Sequence, residues 1–189
     1  MNLWLRLFWL IVTASRRPKL DVPDGKSELY FHVWPHDLDT SLHMNNGRYL
    51  ALMDLGRLDV ILRTGLWRAV LNHGWTPVAN AAVVRFRREL RLAERFRLET
   101  RILAWTEATV FMEQTFVFAG SDRDGQVAAR ALFKGALYDR KARAYVPVPR
   151  LMAEIGVSLP SPPLTSEIEA FLAADEELKR ASGSAVTPS

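Results

Sequence analysis

Four β-rich runs follow one another with only short charged turns between them: PVANAAVVRFRREL (77–90), RFRLETRILAWTE (95–107), TVFMEQTFVFAG (109–120) and VAARALFKGALYD (127–139). This spacing limits the fold more than any other feature. A parallel neighbour needs a crossover of about a dozen residues or more, so such turns return the chain antiparallel. The Asp124-Gly125 pair marks the clearest of them. Upstream, SELYFHVW (27–34) alternates, with Leu29, Phe31 and Val33 on one face and Tyr30, His32 and Trp34 on the other, the pattern of a half-buried strand. Pro35 ends it. From Asn46 to Arg63 the period becomes helical: Tyr49, Leu52, Met53, Gly56 and Val60 share one side, and Leu50, Leu58, Ile61 and Leu62 widen the apolar surface. A helix apolar round most of its girth is a buried one. Gly56 in its interior costs about 1 kcal/mol against alanine, so it marks close approach to another backbone. Gly65 stops the helix, and LWRAVLNHG adds a short second one ended by Gly74. One strand, one long buried helix and four strands in a meander make an α+β domain, an antiparallel sheet of about five strands wrapped round the helix.

The chain has 189 residues, enough for one domain with appendages, and is 49% hydrophobic, enough for a core. It contains no cysteine, which removes disulfides, thiolate nucleophiles and cysteine zinc sites. Lys and Arg exceed Asp and Glu by 25 − 21 = 4, mostly through arginine, which suits phosphates and carboxylates. There is no basic stripe with interleaved aromatics, so nucleic acid is not an expected partner.

Residues 1–20 form a hydrophobic and basic leader. Leu3 to Val12 is apolar except for Arg6, and Arg16, Arg17 and Lys19 follow at once. Such a run is short of the ~20 residues that span a bilayer, and its charge follows the apolar stretch instead of preceding it, unlike a signal peptide. It reads as a helix on a membrane surface, tryptophans at the interface and basic residues on anionic headgroups. The expected setting is the cytoplasm, peripheral on the inner face of the membrane; packing on its own domain or on a partner subunit is the alternative. Residues 21–145 form the main domain, beginning with a linker that contains Pro18 and Pro23 on either side of its start. Residues 146–189 carry a proline-rich segment, an amphipathic helix with Ser166 and Glu169 spaced as a capping box, and a tail, ASGSAVTPS, expected to be disordered.

The polar concentration WPHDLDTSLHMNNGRYL (34–50) precedes the long helix. Asp37, Asp39 and Ser41 open with calcium-loop spacing, but that loop needs glycine sixth and glutamate twelfth, where this chain has Leu42 and Arg48. Zinc on His36, His43 and an aspartate lacks the helical histidine pair of catalytic zinc motifs, so no metal or other cofactor is expected. Asn45 or Asn46 as helix cap accounts for the asparagines but not for the carboxylates and His43 before them. A loop ending at a buried helix N-terminus offers amide donors to a developing negative charge, and a nearby carboxylate can activate water. That is equipment for hydrolysing an ester or thioester.

The run Asp37-Leu-Asp39-x-x-x-His43-Met-Asn45-Asn46-x-x-Tyr49, followed by a helix and strands, resembles the hotdog-fold acyl-CoA thioesterases of the 4-hydroxybenzoyl-CoA thioesterase superfamily. Within that superfamily it is most similar to the group called thioesterase superfamily member six. The resemblance covers roughly Leu29 to Tyr138. It implies a hotdog fold, hydrolysis of acyl-CoA to free acid and CoA, and a homo-oligomer, dimer or tetramer. In the hydroxybenzoyl branch the catalytic carboxylate falls on Asp37. In the plant acyl-carrier-protein thioesterases it falls on Asp39, with an asparagine and a histidine that fall on Ser41 and His43. The asparagine of that scheme is therefore absent here, and the glycine common before the histidine is Leu42. A third choice, a glutamate within the helix, has only Asp54 and Asp59 as stand-ins.

The resulting expectation is Asp37 as general base, Asp39 or His43 orienting it, and amides near Asn45, Asn46 and Gly47 stabilising the oxyanion. Arg85, Arg87, Arg88 and Arg91 are candidates for the CoA phosphates. Tyr49 and Met53 are candidates for the acyl pocket. Two alternatives stay open: a non-catalytic acyl-binding or scaffolding module at a membrane, and hydrolysis of acyl groups carried on acyl-carrier protein.

Overall fold

The computed structural model describes residues 3–184. In chain order the elements are α1 (Leu3–Ala14), β1 (Lys26–His32), a 3-10 turn (Pro35–Asp37), α2 (Asn46–Thr64), α3 (Leu66–His73), β2 (Trp75–Phe86), β3 (Arg95–Trp105), β4 (Val110–Phe118), β5 (Val127–Asp139), β6 (Ala144–Tyr145), α4 (Val148–Glu154) and α5 (Ser166–Ser184). The strands form one antiparallel sheet in the order β1-β3-β4-β5-β2, and β6 pairs with β5. The α+β expectation stands, with one correction: only β3, β4 and β5 form a meander. Turn length fixes strand direction but not adjacency. Leu29↔Leu98 and Phe31↔Phe96 bring inward apolar pairs of β1 and β3 together, so β3 is enclosed by β1 and β4. β2 takes the free side of β5, from Trp75↔Asp139 to Phe86↔Ala129, and becomes the opposite edge.

The concave face of the sheet holds α2. Tyr49, Leu52, Met53 and Leu55 pack with Phe96, Leu98, Phe116, Phe118, Ala129 and Ala131 in the largest core cluster. Gly56 lies close on the sheet, but against side chains and not the backbone expected: a Cβ there would press into Thr100 Oγ1 and lie 2.8 Å from Gln114 Nε2. α1 lies on the same body, against α2, with Arg6 and Leu10 buried and Leu3 and Leu7 beside the core.

On the outer face of the sheet, α5 buries Ile168 against Ala104 and Phe111. Arg130–Glu167 and Lys134–Asp175 ion pairs flank that contact. The cap of α5 is Thr165, whose Oγ1 accepts from the Ile168 amide at 3.4 Å; Ser166 is already the first helical residue. The expected disordered tail begins too early, because α5 continues through Ser184; residues 185–189 lie outside the described residues. Among the described residues no helix is long and apolar enough to cross a membrane.

Candidate active site

Pro35 starts a single 3-10 turn, in which the Asp37 amide donates to Trp34 O at 2.8 Å. The chain then folds back on itself: Leu38 bridges Met44, the Asp39 amide donates to His43 O at 2.9 Å, and the Asn45 amide donates to Asp37 O at 2.8 Å. Leu42, in the place of the family's glycine, turns left-handed at φ 60°. That conformation costs a leucine about 1–2 kcal/mol, so the loop keeps its shape without glycine but under strain. The Met44 amide donates to Leu90 O at 2.8 Å and His43 bridges Arg91, which ties the loop to the segment after β2. Asn45 then caps α2, its Oδ1 accepting from the Gly47 amide at 2.8 Å.

Asp37 is completely buried where these pieces meet. Its Oδ2 accepts from Arg6 (2.6 Å) and from the Trp34 amide (3.0 Å), and its Oδ1 accepts from Arg6 (3.2 Å) and from Arg48 Nε (3.0 Å). Arg48 also ion-pairs at 2.9 Å, and His36 Nε2 lies 3.6 Å away. Burial alone would push this carboxyl up, but Arg6, the Trp34 amide and Arg48 outweigh it and hold the pKa below its ordinary value. Arg6 is 3% exposed, also donates to His32 O, and comes from α1, 31 residues upstream.

Asp39 and His43 sit nearer the surface. Asp39 Oδ1 accepts from the Ser41 amide at 2.8 Å, and its Oδ2 lies 3.4 Å from His43 Nδ1. His43 and Asn46 line a groove of about 220 Å³ with Tyr49, Phe86 and Arg87. Tyr49 is edge-on to Phe86 and Phe116, at centroid distances of 5.1 and 4.8 Å. Its hydroxyl is pushed up to about 12 by burial, which outweighs a hydrogen bond with the Leu90 backbone. The groove therefore holds an imidazole, a carboxylate beside it, a protonated phenol and the first turn of α2.

The other expected site residues separate. Met53 is 1% exposed and belongs to the core cluster. Arg85 and Arg87 line a larger cleft of about 430 Å³ with Arg130 and Glu167, beside α5. Arg88 borders the His43 groove beside Arg87 while donating to Val127 O at 3.0 Å, and Arg91 pairs with Glu89 at 3.2 Å. The four arginines do not converge on one point.

Two partners escaped the sequence reading. Arg6 and Arg48 hold Asp37, and the available signal for Arg6 was an arginine inside an apolar helix, which requires a buried anion. Arg57, three residues after Asp54 in the same helix, is the ion-pair partner that spacing points to. Its guanidinium lies 4.0 Å from the Phe133 centroid and donates to Gln114 Oε1 at 2.7 Å, and it ion-pairs with Asp54. Both line a separate groove of about 180 Å³ with Val78, Val110 and Leu137. Among the described residues no group of three or more His, Asp and Glu side chains is placed to hold a metal ion.

Residues 33–156 match the model of the thioesterase-like superfamily. Protein THEM6 of Xenopus laevis is 42% identical over 124 residues, 65% of this chain and 60% of that protein. Protein THEM6 of Danio rerio is 35% identical over 126 residues, 67% of this chain and 61% of that protein. The match thus spans about three fifths of the length of these relatives. Among solved structures, the probable thioesterase YbaW of Escherichia coli superposes with a TM-score of 0.62 at 20% identity, covering 68% of this chain and 95% of its own. A 4-hydroxybenzoyl CoA thioesterase variant in complex with 4-hydroxybenzoyl CoA gives 0.62 at 13% identity, covering 69% and 97%. At these identities the two structures speak for the fold alone, and it is the hotdog fold.

Proposed function

Since the chain belongs to the thioesterase-like superfamily, we propose that it hydrolyses acyl-CoA thioesters to free acid and CoA at the loop that leads into α2. The observation that carries this reading is Asp37 held by Arg48 against the first turn of α2, which puts a carboxylate and helix N-terminal amides at one corner. Asp37 takes a proton from water as the oxygen attacks the thioester carbonyl. Negative charge develops on the carbonyl oxygen, and the Asn46 amide, at the start of α2, donates to it. Gly47 does not serve there, since its amide belongs to Asn45. When the C–S bond breaks, His43, oriented by Asp39, gives the thiolate its proton.

Tyr49 and Phe86 border the path of the acyl group, and Arg85 and Arg87 take the CoA phosphates, while Arg130 beside them stays paired with Glu113 and Glu167. β2 leaves an unpaired edge, apolar and largely exposed, which supports a homodimer built edge to edge. α1 supports contact with a membrane surface, because its outward side carries Trp4, Leu5, Phe8 and Trp9.

The test is thiol release from acyl-CoAs of several chain lengths by the purified protein, Asp37→Asn and His43→Ala, each shown to be folded by near-ultraviolet circular dichroism. Asp37→Asn is expected to lower kcat by about 10²–10⁴-fold, the range for a lost general base. Full retention of activity by Asp37→Asn removes Asp37 from the reaction. Tight binding of acyl-CoA without turnover by the wild type favours an acyl-binding module instead.

A further inference from the structure

The side chain that covers Asp37 comes from the most apolar helix of the described chain. α1 has two faces. Its inner face sets Arg6 on Asp37 and Leu10 in the core, and at its end Arg17 ion-pairs with the buried Asp59 at 2.8 Å. Its outer face leaves Trp4 73%, Phe8 64% and Trp9 62% exposed, beside Leu5, Ile11 and Val12, with no charge among them. Exposed Arg16 and Lys19 follow directly. Monomeric proteins rarely leave so large an apolar face to water. The combination of interfacial tryptophans with adjacent basic residues is complementary to an anionic lipid surface.

The seat of α1 is incomplete. A groove of about 340 Å³ runs between α1 and β1, lined by Arg6, Trp9, Leu10, Arg17, Leu29 and Phe31. Arg6 itself is enclosed, donating to His32 O at 3.1 Å and lying 5.6 Å from the Phe31 centroid, while the groove leaves the helix beside it without continuous packing on β1. A guanidinium binds phosphate oxygens in the same forked geometry as a carboxylate. A lipid headgroup can replace the Asp37 carboxylate without leaving the arginine unpaired.

We propose that α1 is a latch over Asp37, opened by an anionic lipid surface: the outer face of α1 enters the interface, Arg6 exchanges the Asp37 carboxylate for lipid phosphate, and Asp37 becomes accessible to water. This rests on Asp37 being the base of the hydrolysis proposed above. In the closed state Asp37 faces Arg6 from α1, Arg48 from α2 and His36 from its own turn. In the open state only Arg48 and His36 remain. Opening takes away both the burial that pushes the carboxyl up and one of the cations that hold it low, and the two oppose one another, so turnover on the lipid surface, and not the position of the acid limb, reads the latch.

The experiment measures kcat against pH for the full chain, alone and on vesicles of phosphatidylglycerol or phosphatidylcholine. The variants are Arg6→Ala and the exposed pair Trp4→Glu/Trp9→Glu, which keeps Arg6 and Leu10 as they are although Trp9 also borders the groove. On phosphatidylglycerol the wild type is expected to turn over roughly tenfold faster, within the usual range for coupling between two sites. Arg6→Ala should show the gain without vesicles, and the tryptophan pair should not show it with them. If Arg6→Ala fails to fold, the vesicle comparison and the tryptophan pair decide alone.

Equal rates on both lipids overturn the proposal that an anionic surface opens the latch, since phosphatidylcholine carries a phosphate as well but no net charge. No vesicle effect, with Arg6→Ala at the wild-type rate, overturns the latch while hydrolysis stands on Asp37→Asn. A change of oligomeric state in the tryptophan pair, with no vesicle binding by the wild type, makes the face a contact between copies and overturns the proposal. Absence of hydrolysis in every protein and on every surface overturns the hydrolase reading and the latch with it.

Discussion

Asp37 accepts hydrogen bonds from two arginines and a backbone amide inside the protein, so its contribution to stability depends on pH. A carboxyl whose folded pKa lies below its unfolded value, about 3.9 for aspartate, adds stability above that value and loses it as pH falls through the folded pKa. The melting temperature of the wild type should therefore drop below about pH 4. Asp37→Asn, already less stable at neutral pH by roughly 3 kcal/mol or more because it uncovers buried cations, should show a shallower acid drop. Differential scanning calorimetry from neutral to acid pH checks both slopes. Gly56 makes a second residue-scale point: a methyl there meets Thr100 and Gln114, so Gly56→Ala should cost about 1–3 kcal/mol by overpacking. A helix-propensity argument alone predicts the opposite sign, a gain of about 1 kcal/mol, so urea unfolding separates the two. The position of Gly56 was legible from its place in an apolar helix; Thr100 and Gln114 beneath it were not, because nothing local to the glycine names the strands it will touch.

Elements were legible in proportion to how local their signals are. The long helix, its stop at Gly65, the short helix after it and β5 all follow from periodicity and glycine placement. Asn45 as cap is a contact across two residues, within reach of sequence reasoning. The order of strands is not local. β2 and β3 are consecutive in sequence yet lie on opposite sides of β4 and β5, because the inward faces of β1 and β3 match. α5 was readable as amphipathic, but its seat on the outer face of the sheet depends on the side-chain alternation of β5, which sends Arg130 and Lys134 outward to Glu167 and Asp175. Ile168 is fully buried in that seat. Ile168→Ala should weaken the docking of α5 by about 2–4 kcal/mol. Hydrogen exchange should then speed up through α5 while the amides of β4 keep their protection.

For the whole molecule, the unpaired β2 edge is the decisive feature. A long apolar edge strand is an aggregation template unless something covers it. In the homodimer proposed above, edge-to-edge pairing about a two-fold axis near the middle of β2 supplies that cover. Ala81→Lys places like charges on either side of that axis, and light scattering should find a monomer where the wild type is a dimer. The proposed latch joins the same scale to the site, since it makes the loop before α2 depend on a helix that precedes the domain. What the sequence determined by itself was the long helix with its glycine stop, the β-rich runs and the α+β class, though not β6 or α4. These rest on periodicity, turn length and capping, all of which act within a few residues. Only the tertiary structure decided which strands are neighbours, that Met53 is core, that the four arginines diverge, and that Arg6 closes over Asp37. Each of these depends on burial and charge pairing between segments far apart in the chain, and such pairing is selected by the packed whole and carries no signature in either segment alone.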